Sequence, residues 1–180
     1  IKECPGKALE LEGEWKTVNE ILQVVLQDRD FYEESGGGLT ISGGEILSQP
    51  SFACELLLAA KEEQLHTCCE TTGFAAPEIF DRVTEYVDYL LFDMKHWNSR
   101  AHAEGTGVSN ELPLLNMRRS IEKGKTVLPR IPVIPEFNDA PDDAIEFSKL
   151  LHEIGAKSCQ LLPFHQFGEN KYHLLNQTYA

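Results

Sequence analysis

The sequence predicts an α/β fold in which helices cover a parallel sheet, as either an α/β barrel or a doubly wound sheet. Three observations predict it. Apolar runs of strand length and amphipathic runs of helix length alternate about five times along the 180 residues. The strand runs are nearly continuous in apolar residues, as strands of a covered parallel sheet must be. Each also ends in a polar or glycine-rich stretch that packing does not require, and in parallel α/β folds ligands bind at the carboxyl ends of strands.

The elements follow in order. Val18, Ile21, Leu22, Val25 and Leu26 form one apolar stripe behind Thr17, and Glu20 stands where a capping box needs it, so residues 17–35 read as a capped helix. Residues 39–42 (LTIS) read as a short strand. Residues 50–64 are helical, with Pro50 in the first turn, and residues 65–71 (LHTCCET) form a strand that ends before Gly73. Helix 77–86 precedes strand 87–95 (VDYLLFDMK). Helix 110–124 stops at Gly124, and the extended, proline-punctuated run 125–135 comes next. Helix 142–155 and strand 157–165 (KSCQLLPFH) close the series. Gly36, Gly37 and Gly38 are the best linker candidate, and no internal repeat or low-complexity segment interrupts the pattern.

Composition narrows the classes of partner. Sixteen Lys and Arg against twenty-nine Asp and Glu give a formal charge of -13, without the clustered basic surface that nucleic acid or an anionic membrane demands. No apolar run approaches membrane-spanning length, and the first residues lack an apolar signal core, so the expectation is a cytoplasmic protein. Five cysteines without regular spacing argue against a disulfide framework. Cys54, Cys69 and Cys159 are expected to be buried small apolar residues, and the adjacent Cys68 and Cys69 to face opposite sides of a strand.

The polar strand ends are Glu45 after a glycine pair, Glu70, Asp93 with Lys95, Arg130, and His165. Alternation puts Tyr89, Leu91, Asp93 and Lys95 on one face, so the carboxylate and ammonium point the same way, and it groups Cys159, Leu161, Pro163 and His165 likewise. Asp93 and Lys95 alone would be an ordinary surface ion pair of little energetic weight. Five strand ends that converge on one mouth make a binding site.

The stretches LTISGGEILSQPSF, ETTGF, YLLFDMKHWNSRAHAEGTGVSNE, PRIPVIPEFND and LLPFHQFGENKY, taken in order, resemble the glycyl radical enzyme activating enzymes. These are radical S-adenosylmethionine (SAM) proteins that include pyruvate formate-lyase activating enzyme. The resemblance implies a partial (β/α)6 TIM-like barrel of the radical SAM type, here truncated by loss of the first βα unit, with an exposed edge on the strand after Gly38. It implies that Gly43, Gly44 and Glu45 form the motif that receives the SAM amino group. Lys95, Arg130 and His165 match positions that contact the SAM carboxylate, ribose or neighbouring polar groups. Asp93, Lys95 and His102 match a motif near which family members hold the glycyl loop of their partner, with Met94 replacing a leucine. Glu70, Thr71 and Asp93 sit where the family builds a monovalent-cation site.

The family's CxxxCxxC loop, which ligates a 4Fe-4S cluster and leaves one iron open to SAM, is absent from this sequence. The chain alone is therefore expected to be inactive, with that loop upstream of Ile1 in a longer protein. Cys4 and Pro5 resemble the end of a ferredoxin-type cysteine run. Residues 1–16 then read as the tail of a ferredoxin-like insertion with Cys4 as an auxiliary 4Fe-4S ligand, and residues 17–180 as the truncated barrel. The implied reaction is reductive cleavage of SAM to a 5'-deoxyadenosyl radical, which takes a hydrogen from a glycine of a pyruvate formate-lyase-like partner, with flavodoxin or a similar protein as electron donor. Two other classes compete: a Schiff-base lyase or aldolase that uses Lys95, and a non-catalytic SAM-binding or protein-binding module.

Overall fold

Five strands, β1 (Gly38–Ile41), β2 (His66–Thr71), β3 (Tyr89–Asp93), β4 (Thr126–Val133) and β5 (Gln160–Pro163), lie parallel in one sheet in the order β1-β2-β3-β4-β5. The computed structural model describes residues 13–166, 168, 172 and 174–178. Cys4 and most of the expected 1–16 segment lie outside the described residues. The helices are α1 (Val18–Val25), α2 (Arg29–Ser35), α3 (Pro50–Glu62), α4 (Pro77–Thr84), α5 (Ser99–Thr106), α6 (Glu111–Glu122) and α7 (Pro141–Glu153).

Spatial order equal to sequence order decides between the two architectures. A doubly wound sheet reverses at a switch point and carries helices on both faces. Here every crossover steps the same way, and Leu57, Phe80, Val83, Met117, Phe147 and Leu151 from α3, α4, α6 and α7 pack with Cys69, Leu90, Phe92 and Ile131 of the strands. Alternation along β3 shows the consequence: Leu90 and Phe92 are buried, whereas Tyr89, Leu91 and Asp93 are only half-buried. One face of the sheet is covered by helices and the other is left open, as in part of a barrel wall.

The first helix departs from expectation. The capping box forms as read, with the Glu20 N–H donating to the Thr17 hydroxyl at 3.2 Å and the Thr17 N–H to the Glu20 carboxylate at 2.7 Å. The helix nevertheless breaks into α1, a tight 3-10 turn at Leu26–Asp28, and α2. The apolar stripe ends at Leu26, and Arg29 then turns to the end of α3, where it donates to the Glu63 carbonyl at 3.1 Å and pairs with the Glu63 carboxylate. Helix α5 was not legible, because Gly105 interrupts it and it lacks an apolar stripe. Its punctuation was present: the Asn98 side chain accepts from the Arg100 and Ala101 amides, and Gly107 ends the helix with φ +85°.

Both sheet edges differ from the interior. Strand β1 is an edge among the described residues, as expected, and beside it runs a groove of about 390 Å³ lined by Ile21, Leu39, Ile41, Phe52 and Leu56 among others. At the other edge Leu161 is 63% exposed, and Cys159 is exposed rather than buried. Cys159 precedes β5 and lines an open groove of about 460 Å³ against α7, with no element over it among the described residues. Cys69 is buried as expected, and that burial pushes its thiol up to about 12; Cys54 is half-buried.

The amino ends of the strands carry stability rather than chemistry. Asp88 accepts from the Lys61 ammonium at 2.8 Å and from the Thr67 amide and hydroxyl at 2.8 and 3.0 Å, tying α3 to β2. Burial alone would raise its carboxyl, but the hydrogen bonds from Lys61 and Thr67, with the Lys61 charge, hold it below the ordinary carboxylate range. A carboxyl lowered by folding stabilises the protein fully above its unfolded pKa, and the stabilisation is lost as pH falls through the folded one. Asp88→Asn should therefore lower the Tm at pH 7 and flatten its decline between about pH 5 and 3. Asp81, held low by Lys123 and Arg119 against its own burial, supplies part of the decline that remains. An acid limb identical to that of the wild type would remove Asp88 from this role.

Candidate functional site

The strand registers assemble the site. Asp93 stands opposite Arg130, Arg130 opposite Gln160, and Glu70 opposite Leu91, so Glu70, Asp93 and Arg130 share the open face near the carboxyl ends. Arg130 pairs with Glu70 at 2.8 Å and Lys95 with Asp93 at 3.0 Å. The Arg130 guanidinium is more enclosed than its partner, and its Nε is buried without a hydrogen-bond partner among the described residues. Such an orphaned donor costs free energy unless a ligand meets it.

Past β1 the chain turns through Gly43 at φ +104°, a conformation that favours glycine. Added Cβ atoms at Gly43 and Gly44 would meet nothing within 4 Å, so the turn presents bare backbone to open space. Glu45 does not project into that space. Its carboxylate accepts from the Leu47 amide at 3.1 Å, the Thr71 hydroxyl at 2.7 Å, the Thr72 amide at 2.8 Å and the Thr72 hydroxyl at 2.7 Å.

Beyond β3, Met94 is buried while Asp93 and Lys95 remain half-buried, as the alternation requires. Thr72, Phe74, Asp93, Lys95, His102 and Pro113 line a cavity of about 300 Å³. His102 projects from α5, and its Nδ1 lies 2.7 Å from the Val108 carbonyl oxygen. A carbonyl only accepts, so Nδ1 carries a proton and donates to Val108.

The expected cation group is not assembled as a set of side chains. Glu70 lies on the open face with Arg130, whereas Thr71 is buried on the covered face and donates to Glu45. Asp93 is paired with Lys95, and among the described residues no group of three or more His, Cys, Asp or Glu could hold a metal ion. His165 is likewise outside the row. Leu161 and Pro163 stand opposite Ile131 and Val133, and β5 ends at Pro163, so alternation no longer directs His165, which is exposed.

Three buried asparagines hold the strand exits, and the sequence reading missed them. Asn116 on α6 donates to the Gly73 and Ala75 carbonyls at 2.8 Å, fixing the loop after β2. Asn110 donates to the His96 and Trp97 carbonyls at 2.9 Å. Asn138 donates to the Lys95 carbonyl at 2.8 Å and the Pro132 carbonyl at 2.9 Å, and so joins the exits of β3 and β4. The available signal was Asn116 itself, a polar side chain on the face of α6 that buries Pro113, Met117 and Ser120.

Polar strand exits on the open face of a parallel sheet are where such folds bind ligands, and similarity to known proteins supplies the class. The radical SAM superfamily model matches residues 4–148, and the chain belongs to that superfamily. Within it, the chain is 44% identical over 176 residues to the isethionate sulfite-lyase activating enzyme of Nitratidesulfovibrio vulgaris, covering 97% of the chain and 57% of that protein. It is 42% identical over 179 residues to the choline trimethylamine-lyase activating enzyme of Oleidesulfovibrio alaskensis, with 97% and 58% covered. A crystal structure of a domain of pyruvate-formate lyase-activating enzyme from Bacteroides vulgatus superposes with a TM-score of 0.66 at 29% identity, over 78% of this chain and 91% of that one. The chain thus spans less than two thirds of the length of the curated relatives it matches.

The superfamily implies SAM and a 4Fe-4S cluster. The described residues fit SAM: a bare glycine turn offers carbonyls to an ammonium, and the orphaned Arg130 donor and the Lys95 ammonium suit a carboxylate or ribose. They do not fit the cluster, because Cys54, Cys68, Cys69 and Cys159 are dispersed over α3, β2 and the approach to β5. Each of these three relatives is named as an activating enzyme.

Proposed function

We propose that the protein containing this chain activates a glycyl radical enzyme, and that the chain supplies the SAM-binding wall of its barrel. The observation that carries the proposal is the grouping of Arg130, Asp93 and Lys95 at the exits of β3 and β4, on a sheet whose β1 exit is a bare glycine turn. Bound SAM with a reduced 4Fe-4S cluster, held by cysteines outside this sequence, supplies the one-electron carbon–sulfur cleavage and the hydrogen abstraction. The chain's own residues bind and orient. Gly43 and Gly44 offer backbone carbonyls to the SAM amino group, and Lys95 and Arg130 take its carboxylate and ribose. Asp93 holds the Lys95 ammonium in place at 3.0 Å.

Asp93, Lys95 and His102 form the wall against which the partner's glycyl loop lies. His165, a monovalent cation beside SAM, an auxiliary cluster at Cys4 and a flavodoxin-like donor complete the family's scheme as further proposals. The relatives' names point to a glycyl radical lyase as partner, of the kind that acts on isethionate or choline. No helix among the described residues is long and apolar enough to cross a membrane.

The test is an anaerobic incubation of the full-length, cluster-loaded protein with SAM, reductant and such a lyase. The expected result is a glycyl radical signal by electron paramagnetic resonance, with 5'-deoxyadenosine formed alongside it. Deoxyadenosine without a radical on any glycyl radical lyase tried would keep SAM cleavage and reject the partner.

A further inference from the structure

We propose that Glu45 is a positioning residue, which straps the glycine turn after β1 to the loop after β2, and is not itself the acceptor for the SAM amino group. The inference rests on the reading that this site takes SAM. A carboxylate has about four acceptor positions. The Thr71 and Thr72 hydroxyls and the Leu47 and Thr72 amides fill them at 2.7–3.1 Å, so none is left for an ammonium.

The strap continues beyond Glu45. The Thr71 hydroxyl that donates to Glu45 accepts from the Gly73 amide at 3.0 Å, and the Thr72 hydroxyl accepts from the Phe74 amide at 3.3 Å. Asn116 grips the same loop from the other side through the Gly73 and Ala75 carbonyls. The loop after β2 is therefore fixed, and Glu45 transfers that fixity to Gly43 and Gly44, where an added Cβ would meet nothing within 4 Å. The direction in which their carbonyls face a ligand is then set in part by Thr71, which lies on the covered face.

Thr71 separates this role from direct contact, because it is 2% exposed on the covered face of β2 and out of reach of any ligand at the mouth. In the full-length, cluster-loaded protein, SAM is titrated by calorimetry into the wild type, Thr71→Val, Thr71→Ser, Glu45→Gln and Glu45→Gln/Thr71→Val, with Tm measured for each. Thr71→Val is expected to weaken SAM binding about tenfold, Thr71→Ser to stay within about twofold of wild type, and the double variant to bind no more weakly than Glu45→Gln. Thr71→Ala supplies the same comparison if Thr71→Val does not fold. Wild-type affinity in the Thr71→Val and Thr71→Ala proteins, together with a loss in Glu45→Gln, would place Glu45 on SAM and overturn the strap. A wild-type protein that binds no SAM at all would overturn the SAM reading, and the inference with it.

Discussion

Phe92→Ala should destabilise the protein by about 3–5 kcal/mol, a large share of the roughly 5–15 kcal/mol that holds a domain of this kind together. Phe92 is fully buried on β3, the middle strand of the sheet, and its ring lies 6.0 Å from that of Phe80, tilted by 49°. Truncation removes the ring's burial and leaves a cavity between the sheet and α4. The loss reaches the site, because Phe92 also supports the loop after β2 from below, where an added Cβ at Gly73 would lie 2.0 Å from its ring. Guanidinium unfolding of the isolated variant reads the effect. A change below about 1 kcal/mol would mean that the core is not organised around this ring.

Gly73→Ala is expected to cost roughly 2–5 kcal/mol, from two causes that can be told apart. Gly73 sits at φ +71°, where an L side chain costs about 1–2 kcal/mol. Its Cβ would also collide with the edge of Phe92 at 2.0 and 2.6 Å, and overpacking of this kind costs about 1–3 kcal/mol. Phe92→Leu shortens the obstacle, so the double variant should be less destabilised than the sum of the single changes by about 1 kcal/mol or more. Strict additivity in the denaturation midpoints would leave backbone strain as the whole cost and remove the contact with Phe92.

The fold was legible because its signals are local. Thr17 with Glu20, Pro50, Pro77 and Gly124 mark helix starts and stops that propensity and capping dictate, and strict alternation in β3 told which side Asp93 and Lys95 would take. What stayed hidden depends on distant partners. The break between α1 and α2 is associated with Glu63 at the end of α3, and the exposure of Cys159 with the lack of a neighbour at the sheet edge. The choice between barrel and doubly wound sheet needed the strand order, which periodicity cannot supply. At the site, the residue types at the strand ends were visible, but their pairings were not. The Arg130–Glu70 bridge spans β4 and β2, and the work of Glu45 depends on threonines some 26 positions along the chain. Asparagines 110, 116 and 138 escaped notice because a buried amide has no sequence period; it is specified by the carbonyls that surround it.

The account rests on Lys95 and Arg130 holding SAM at the mouth of the barrel, and calorimetric titration of SAM into the full-length, cluster-loaded protein tests this most directly. Loss of a charged hydrogen bond to a ligand costs about 1.5–3 kcal/mol, so Lys95→Ala should weaken binding about ten- to hundredfold while circular dichroism and Tm stay close to wild type. Arg130→Leu should weaken binding to a similar degree. Wild-type affinity in both folded variants would contradict the account, because the strand exits would then hold ion pairs that no SAM molecule meets.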